Sequence, residues 1–227
     1  MKTLNDFFDH IYCINLAYRK DRWNKVSEEF QKHNLNVERV EAVYGKTLKN
    51  LTNLADGAYG IILSNLLIFK DSLKKGYEKI LILEDDIYFI DAIHEKFWNK
   101  IEFLPSNWDL LYLGGNTVFE FGWYEMISGR KDISINRNTY NKLDYDLIKT
   151  GWTQCAYSIG YNTKIFPDLI QILEKFEEPI DVTLPKLSNT QFYNSYIFFP
   201  TLARTYDNYS DIENRITDYV DNIGVNY

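Results

Sequence analysis

Cysteine is scarce in this chain: 227 residues contain two, Cys13 and Cys155. Two isolated thiols with no metal-ligand spacing make neither a disulfide framework nor a thiolate zinc site, and both lie in apolar strand-like runs. Reduced, buried thiols are expected. The three histidines, His10, His33 and His94, share no ligand spacing either, so zinc chemistry lacks its donors. Glycine-rich phosphate loops are missing, both G-x-G-x-x-G and G-x-x-x-x-G-K-[ST], which removes the main support for a dinucleotide-dependent dehydrogenase or a P-loop enzyme. No G-x-S-x-G nucleophile elbow occurs.

Positive charge is in deficit, with 25 Lys and Arg against 32 Asp and Glu for a net charge of -7, so the overall field repels nucleic acid. Long hydrophobic runs are absent too. The longest, Ile61 to Phe69, is broken by Ser64 and Asn65 and falls short of the roughly 20 residues a membrane helix needs. Asp6 and Asp9 interrupt the N-terminal stretch where a signal peptide would be apolar, so a cytoplasmic protein without a transmembrane segment is expected. No Pro/Gly/Ser-rich linker divides the chain, and residues 1–227 read as a single domain.

Apolar residues, at 45 %, suffice for a sizeable core, and aromatics are plentiful at 16 %. Tyrosine offers an apolar plate with a hydroxyl handle, which suits sugar faces, although most of the 18 tyrosines serve as core and surface filler. Strand-like and helix-like periods alternate along the chain. His10 to Leu16 reads as a strand, followed by a helix on which Trp23, Val26 and Phe30 recur at helical spacing. Val37 to Val43 is a second strand. Gly57 to Lys75 is a long helix ending at Gly76 as C-cap. Lys79 to Leu83 is a strand apolar on both faces. Asp91 to Ile101 and Lys164 to Phe176 read as helices; Trp108 to Gly115, Thr153 to Gly160 and Asn194 to Pro200 read as strands. The alternation predicts an α/β fold with a mostly parallel central sheet flanked by helices. Asn116 to Lys149 has no clear period and reads as a long irregular insertion. The acidic tail from Asp207 to Asp221 reads as a solvated segment.

The stretch KILILEDDIYF places Glu84, Asp85 and Asp86 directly after a buried strand. Two carboxylates about 4 Å apart repel by roughly 4 kcal/mol at an effective dielectric of 20, so solvent, a neighbouring cation or a metal must offset the charge. In open α/β sheets ligands gather at the carboxyl ends of parallel strands, and hard oxygen donors there suit Mg²⁺ or Mn²⁺. An acidic turn capping the next helix is the alternative. Arg19, Lys20 and Arg22 follow the first strand, where an arginine fork can take a phosphate. A solvated helix face with ion pairs to Asp21 and Glu28 is the alternative there.

INLAYRKDR resembles the opening motif of glycosyltransferase family 25, the lipopolysaccharide-biosynthesis and procollagen galactosyltransferase group, and LILEDDI resembles its acidic signature. GAYGIILSN, WDLLYLGG, TQCAYSIG, PIDVTL and FPTLARTYDNYSDIE resemble further family blocks in the same order, so the likeness runs from about Ile11 to Glu213. The resemblance implies a GT-A-like fold and inverting transfer of a galactose- or glucose-type hexose from a UDP-sugar. The acceptor it implies is a glycan or hydroxylysine-like hydroxyl. It also implies Mn²⁺ (or Mg²⁺) at a DxD-like motif, with Glu84 and Asp86 as metal ligands. Asn15, Leu16, Arg19, Arg22, Ser64, Glu84 and Asp85 would contact the nucleotide-sugar, and Asp181 is the candidate base, or else a helix cap. Asn65 stands where family members usually carry His, Gln154 where His is often seen, and Arg204 in place of a frequent Gln. A nucleotide-sugar-binding protein impaired in transfer is therefore the alternative function. A nucleotidyltransferase would want a glycine-rich, lysine-containing loop after the first strand, which is absent.

Overall fold

The computed structural model describes residues 2–117, 122–127, 146–206, 208–210 and 215–217. Most of the acidic tail and the middle of the irregular insertion lie outside the described residues.

The chain runs β1 (His10–Asn15), α1 (Lys20–Lys32), β2 (Glu38–Glu41), α2 (Asp56–Lys75), β3 (Lys79–Glu84), β4 (Ile87–Phe89), α3 (Ile93–Ile101), β5 (Leu110–Thr117), β6 (Tyr124–Met126), β7 (Asp146–Thr150), β8 (Thr153–Asn162), α4 (Phe166–Leu173), α5 (Ile180–Asn189), β9 (Ser195–Phe199), β10 (Ala203–Thr205), β11 (Asn208–Ser210) and β12 (Arg215–Thr217). One eight-stranded sheet in the order β2-β1-β3-β8-β5-β9-β7-β6 organises it, with two small pairs, β10-β4 and β11-β12, beside it.

β1 is parallel to β2 and β3, and β5 is parallel to β9, while β8 and β7 pair antiparallel to their neighbours. The α/β architecture is as expected, and all but β7 and β8 point one way. The sheet is nonetheless mixed: β7 runs through Gly151 and Trp152 directly into β8, so both strands run against the other six, with β7 between β9 and β6 and β8 between β3 and β5.

β3 shows why a strand apolar at four successive positions, Ile80 to Leu83, sits here. Ile80 and Ile82 join α2 and α4 in one apolar layer with Ile62, Leu66, Phe69 and Phe166, whereas Leu81 and Leu83 face the other layer with α1 and α3 through Val26, Phe30 and Phe97. Burying each Ile or Leu contributes about 1.5–3 kcal/mol, so alternation to two apolar faces makes β3 a central strand. α2 ends at Gly76, with φ 72°, as the pattern predicts; Tyr77 N donates to Ser72 O at 3.1 Å.

Several elements escape the sequence pattern. α5 has Pro185 inside it, which removes an amide donor and masks the helical signal. β6 and β7 belong to what reads as irregular insertion, and Leu147 and Ile148 of β7 are fully buried. The expected burial of both thiols needs correction: Cys13 is buried, but Cys155 is half-buried with φ 67° at a bulge where β8 slips against β5. Among the described residues no helix is long and apolar enough to cross a membrane.

Candidate active site

β1 and β3 are adjacent and in register at Ile14 and Glu84, so Asn15, the last residue of β1, and Asp85, the first after β3, stand side by side. The chain turns at Asp85 and Asp86 and enters β4, which β10 pins from the other side; Tyr206 N donates to Asp86 O at 3.0 Å. Arg22, in the first turn of α1, reaches over this turn. Its Nη1 lies 2.9 Å from Asp85 Oδ1 and 3.1 Å from Asp86 Oδ2. Asn15 Nδ2 donates to Asp85 Oδ2 at 2.6 Å.

The repulsion among three neighbouring acids is thus offset in part by a protein cation. Burial lowers the tendency of Arg22 to hold its proton, and the Asp86 and Asp85 carboxylates outweigh that, so the guanidinium stays charged. Among the described residues Glu84 has no ion-pair partner. Burial first, then the charges of Asp86, Asp85 and Asp181, push it up to about 8 against the opposing pull of Arg22. Burial likewise raises Asp86, to about 6, with Arg22 opposing. Asp86 Oδ1 is buried and has no hydrogen-bond partner among the described residues.

A cleft opens beside these acids, between the end of β1, the segment after β2 and the first turns of α2. Leu16, Tyr44 and Ile61 give it apolar walls, and Lys46 adds a cation. The segment after β2 lies against α2 because two glycines meet. A Cβ on Gly45 would stand 1.8 Å from Asp56 O, and one on Gly60 would stand 2.4 Å from Val43 O. Ser64 Oγ tightens this contact, accepting from Val43 N at 2.8 Å and donating to Gly60 O at 2.8 Å.

Leu16, Arg22, Ser64, Glu84, Asp85 and Asp86 all line the cleft, so the fold brings together residues scattered over 70 positions of sequence. Ser64 is fully buried with its hydroxyl proton committed to Gly60, so it shapes the wall through the backbone. Asn15 stands behind the wall, 1 % exposed. Arg19 forks onto Asp21, at 3.0 Å from each carboxylate oxygen, and is the N-cap residue of α1. Asp181 is exposed in the first turn of α5, whose N-cap position is Pro179. Its charge adds to the rise of Glu84, after burial, Asp86 and Asp85, and to that of Tyr112, after burial and Cys155.

Sequence reasoning misses Arg39, which donates to Asn15 Oδ1, and the wall formed by Ala42 to Lys46. The only local signal for that wall is the isolated Gly45 between strand and helix. Among the described residues no group of three or more His, Cys, Asp or Glu side chains is placed to hold a metal ion. Glu84 and Asp86 offer a smaller set of two hard oxygen donors, and Asp86 Oδ1 is buried with no partner among the described residues. That set fits an ion that completes its coordination with water and ligand oxygens.

The family model "Glycosyltransferase family 25 (LPS biosynthesis protein)" matches residues 8–184. Procollagen galactosyltransferase 1-B of Xenopus laevis is 26 % identical over 160 residues, covering 61 % of this chain and 26 % of that protein. An inactive glycosyltransferase 25 family member 3 of Mus musculus is 25 % identical over 133 residues, covering 49 % and 22 %. The chain spans about a quarter of the length of these curated relatives. A solved glycosyltransferase involved in glycosylation of the major capsid of PBCV-1 is 14 % identical, with a TM-score of 0.39, covering 84 % of this chain and 82 % of that one.

Proposed function

Because the chain belongs to glycosyltransferase family 25, we propose that it moves a galactose- or glucose-type hexose from a UDP-sugar to a hydroxyl of a glycan or hydroxylysine-like acceptor. The observation that carries this reading is the pair Glu84 and Asp86 at the carboxyl end of β3. One is raised by burial and like charge, and the other keeps an unpartnered buried oxygen beside an apolar-walled cleft. Such a pair is costly in an empty interior and useful where a dication and a diphosphate meet.

Glu84 and Asp86 would hold Mn²⁺ or Mg²⁺, which when bound supplies positive charge against the anion developing on the departing UDP. Arg22 keeps the turn at Asp85 and Asp86 folded against α1 while that charge changes. The cleft walls at Leu16, Tyr44 and Ile61 exclude water from one side of the donor. Asp181 accepts the proton of the acceptor hydroxyl as its oxygen attacks the anomeric carbon and the bond to UDP breaks. One base suffices for a single displacement with inversion.

A second reading is nucleotide-sugar binding without transfer. It is favoured by the inactive relative and by Asn65, whose amide is buried and donates to Ile61 O of its own helix at 2.9 Å, where it can shuttle no proton. Incubation with UDP-galactose or UDP-glucose, Mn²⁺ and a galactosyl-acceptor panel, read as UDP release and as thermal shift, separates the two. Transfer predicts Mn²⁺-dependent UDP release that Asp181→Asn abolishes while UDP still stabilises the protein. At 100 times the dissociation constant that stabilisation is about 2.7 kcal/mol. Stabilisation without release supports the binding protein, and a shift with CMP- or GDP-sugars alone defeats the UDP assignment.

A further inference from the structure

Resting on the donor-site reading above, we propose that Arg39 is a positioning residue that decides which way the middle acid of the turn faces. Arg39 lies on β2, outside the cleft, with its guanidinium carbon 5.0 Å from the centre of the Trp23 ring. Its Nε donates to Asn15 Oδ1 at 2.9 Å, and its Nη2 donates to the same oxygen. Asn15 Nδ2 donates in turn to Asp85 Oδ2 at 2.6 Å and to Arg19 O at 3.1 Å.

An asparagine amide has a nitrogen that only donates and an oxygen that only accepts, and a guanidinium has donors alone. Arg39 therefore forces the Asn15 oxygen toward β2, which leaves the nitrogen facing Asp85. The reversed amide would set oxygen against carboxylate and NH₂ against guanidinium, in a site only 1 % exposed, where an unmatched polar contact is at its most expensive. With Asn15 on Oδ2 and Arg22 on Oδ1, both oxygens of Asp85 are engaged inside the protein. Asp85 is then the anchor of the turn, and Glu84 and the unpartnered Oδ1 of Asp86 on either side remain for the ligand. The relay Arg39–Asn15–Asp85 makes an exposed residue of a sheet-edge strand govern a site it does not touch.

The test uses the full chain with Arg39→Met, Arg39→Lys, Asn15→Ala and the Arg39→Met/Asn15→Ala double variant. Two quantities are read: Mn²⁺-dependent UDP affinity by calorimetry, and unfolding midpoint without ligand. Loss of an outer-shell partner reduces metal affinity about 10- to 100-fold, so Arg39→Met should weaken Mn²⁺-dependent UDP binding by about tenfold. Arg39→Lys, which still donates to Asn15 Oδ1, should recover most of it. In the Asn15→Ala background, Arg39→Met should change affinity no further and should lower the midpoint by less than it does alone, since only the Trp23 contact is then left to lose. Equal loss in the Met and Lys variants, full affinity in Arg39→Met, or additive effects in the double variant would overturn the relay. Should the unsubstituted protein bind no UDP with Mn²⁺, the donor reading fails, and the unfolding midpoints of the same four variants still decide the relay by their additivity.

Discussion

Arg22 Nη1 stands 2.9 Å from Asp85 Oδ1, and the two side chains are 11 % and 9 % exposed. A pair this enclosed is weak as a source of net stability, yet breaking it leaves an uncompensated buried charge.

Arg22→Met should therefore destabilise the fold by roughly 3–5 kcal/mol, measured by urea unfolding. The pH dependence has a definite sign. Asp86 is raised in the folded protein to about 6 from an ordinary 3.8 even with Arg22 opposing, so its ionisation opposes folding as pH rises through that interval. Removing Arg22 enlarges the effect, and the defect of Arg22→Met should be greater at pH 8 than at pH 5. An equal defect at both would show that lost packing of the arginine stem, and not its charge, is responsible.

Glu84 supplies a second pH signature. Its folded value of about 8 against an ordinary 4.5 means that the folded state holds a proton which the unfolded chain has released, so stability falls as pH rises from about 4.5 to about 8. Without divalent cation, the melting temperature of the unsubstituted protein should drop between pH 6.5 and pH 8.5. Glu84→Gln, which cannot ionise, should flatten that drop and raise the melting temperature at pH 8.5. A parallel decline in both proteins would remove Glu84 as its origin.

Asp86→Asn keeps the size of the side chain and removes the charge on its unpartnered oxygen. Mn²⁺-stimulated UDP release should fall about a hundredfold or more, which corresponds to roughly 3 kcal/mol of lost charge stabilisation. Circular dichroism should be unchanged, and EDTA should reduce the unsubstituted protein to the level of the variant. Activity that survives both would exclude a metal at this turn.

The wall of the cleft is testable through its backbone contact. A methyl group on Gly45 would meet Asp56 O at 1.8 Å, and the neighbours are main chain that cannot swing aside. Gly45→Ala should cost about 1–3 kcal/mol in unfolding free energy, and displacing the segment Ala42 to Lys46 should weaken UDP binding as well. Gly76→Ala is the control: its φ of 72° strains alanine, but nothing lies within 4 Å of the added carbon and the cleft is remote. It should lower stability by about 1 kcal/mol and leave UDP affinity unchanged.

The elements whose side-chain period matches their surroundings were legible in the sequence. Lys79 to Leu83 alternates between two apolar layers, Gly76 ends its helix in the left-handed region, and Glu84 to Asp86 emerge at a strand end as the run of letters suggests. The local order of apolar, glycine and acidic residues determined these features by itself, because burial, φ preference and charge act within a few bonds. Elsewhere the local signal is weak or contrary. Pro185 hides α5, β7 is a short buried strand in polar surroundings, and β8 reverses the sense of the sheet beside β3. Only the tertiary structure decided which partners the acids have. Arg22 and Arg39 are both cations near a strand in sequence, and one grips the carboxylates while the other acts through Asn15. Hydrogen bonds and ion pairs of this kind depend on distances of a few tenths of an ångström between residues tens of positions apart. Those distances exist only once the sheet has placed β1, β2 and β3 side by side.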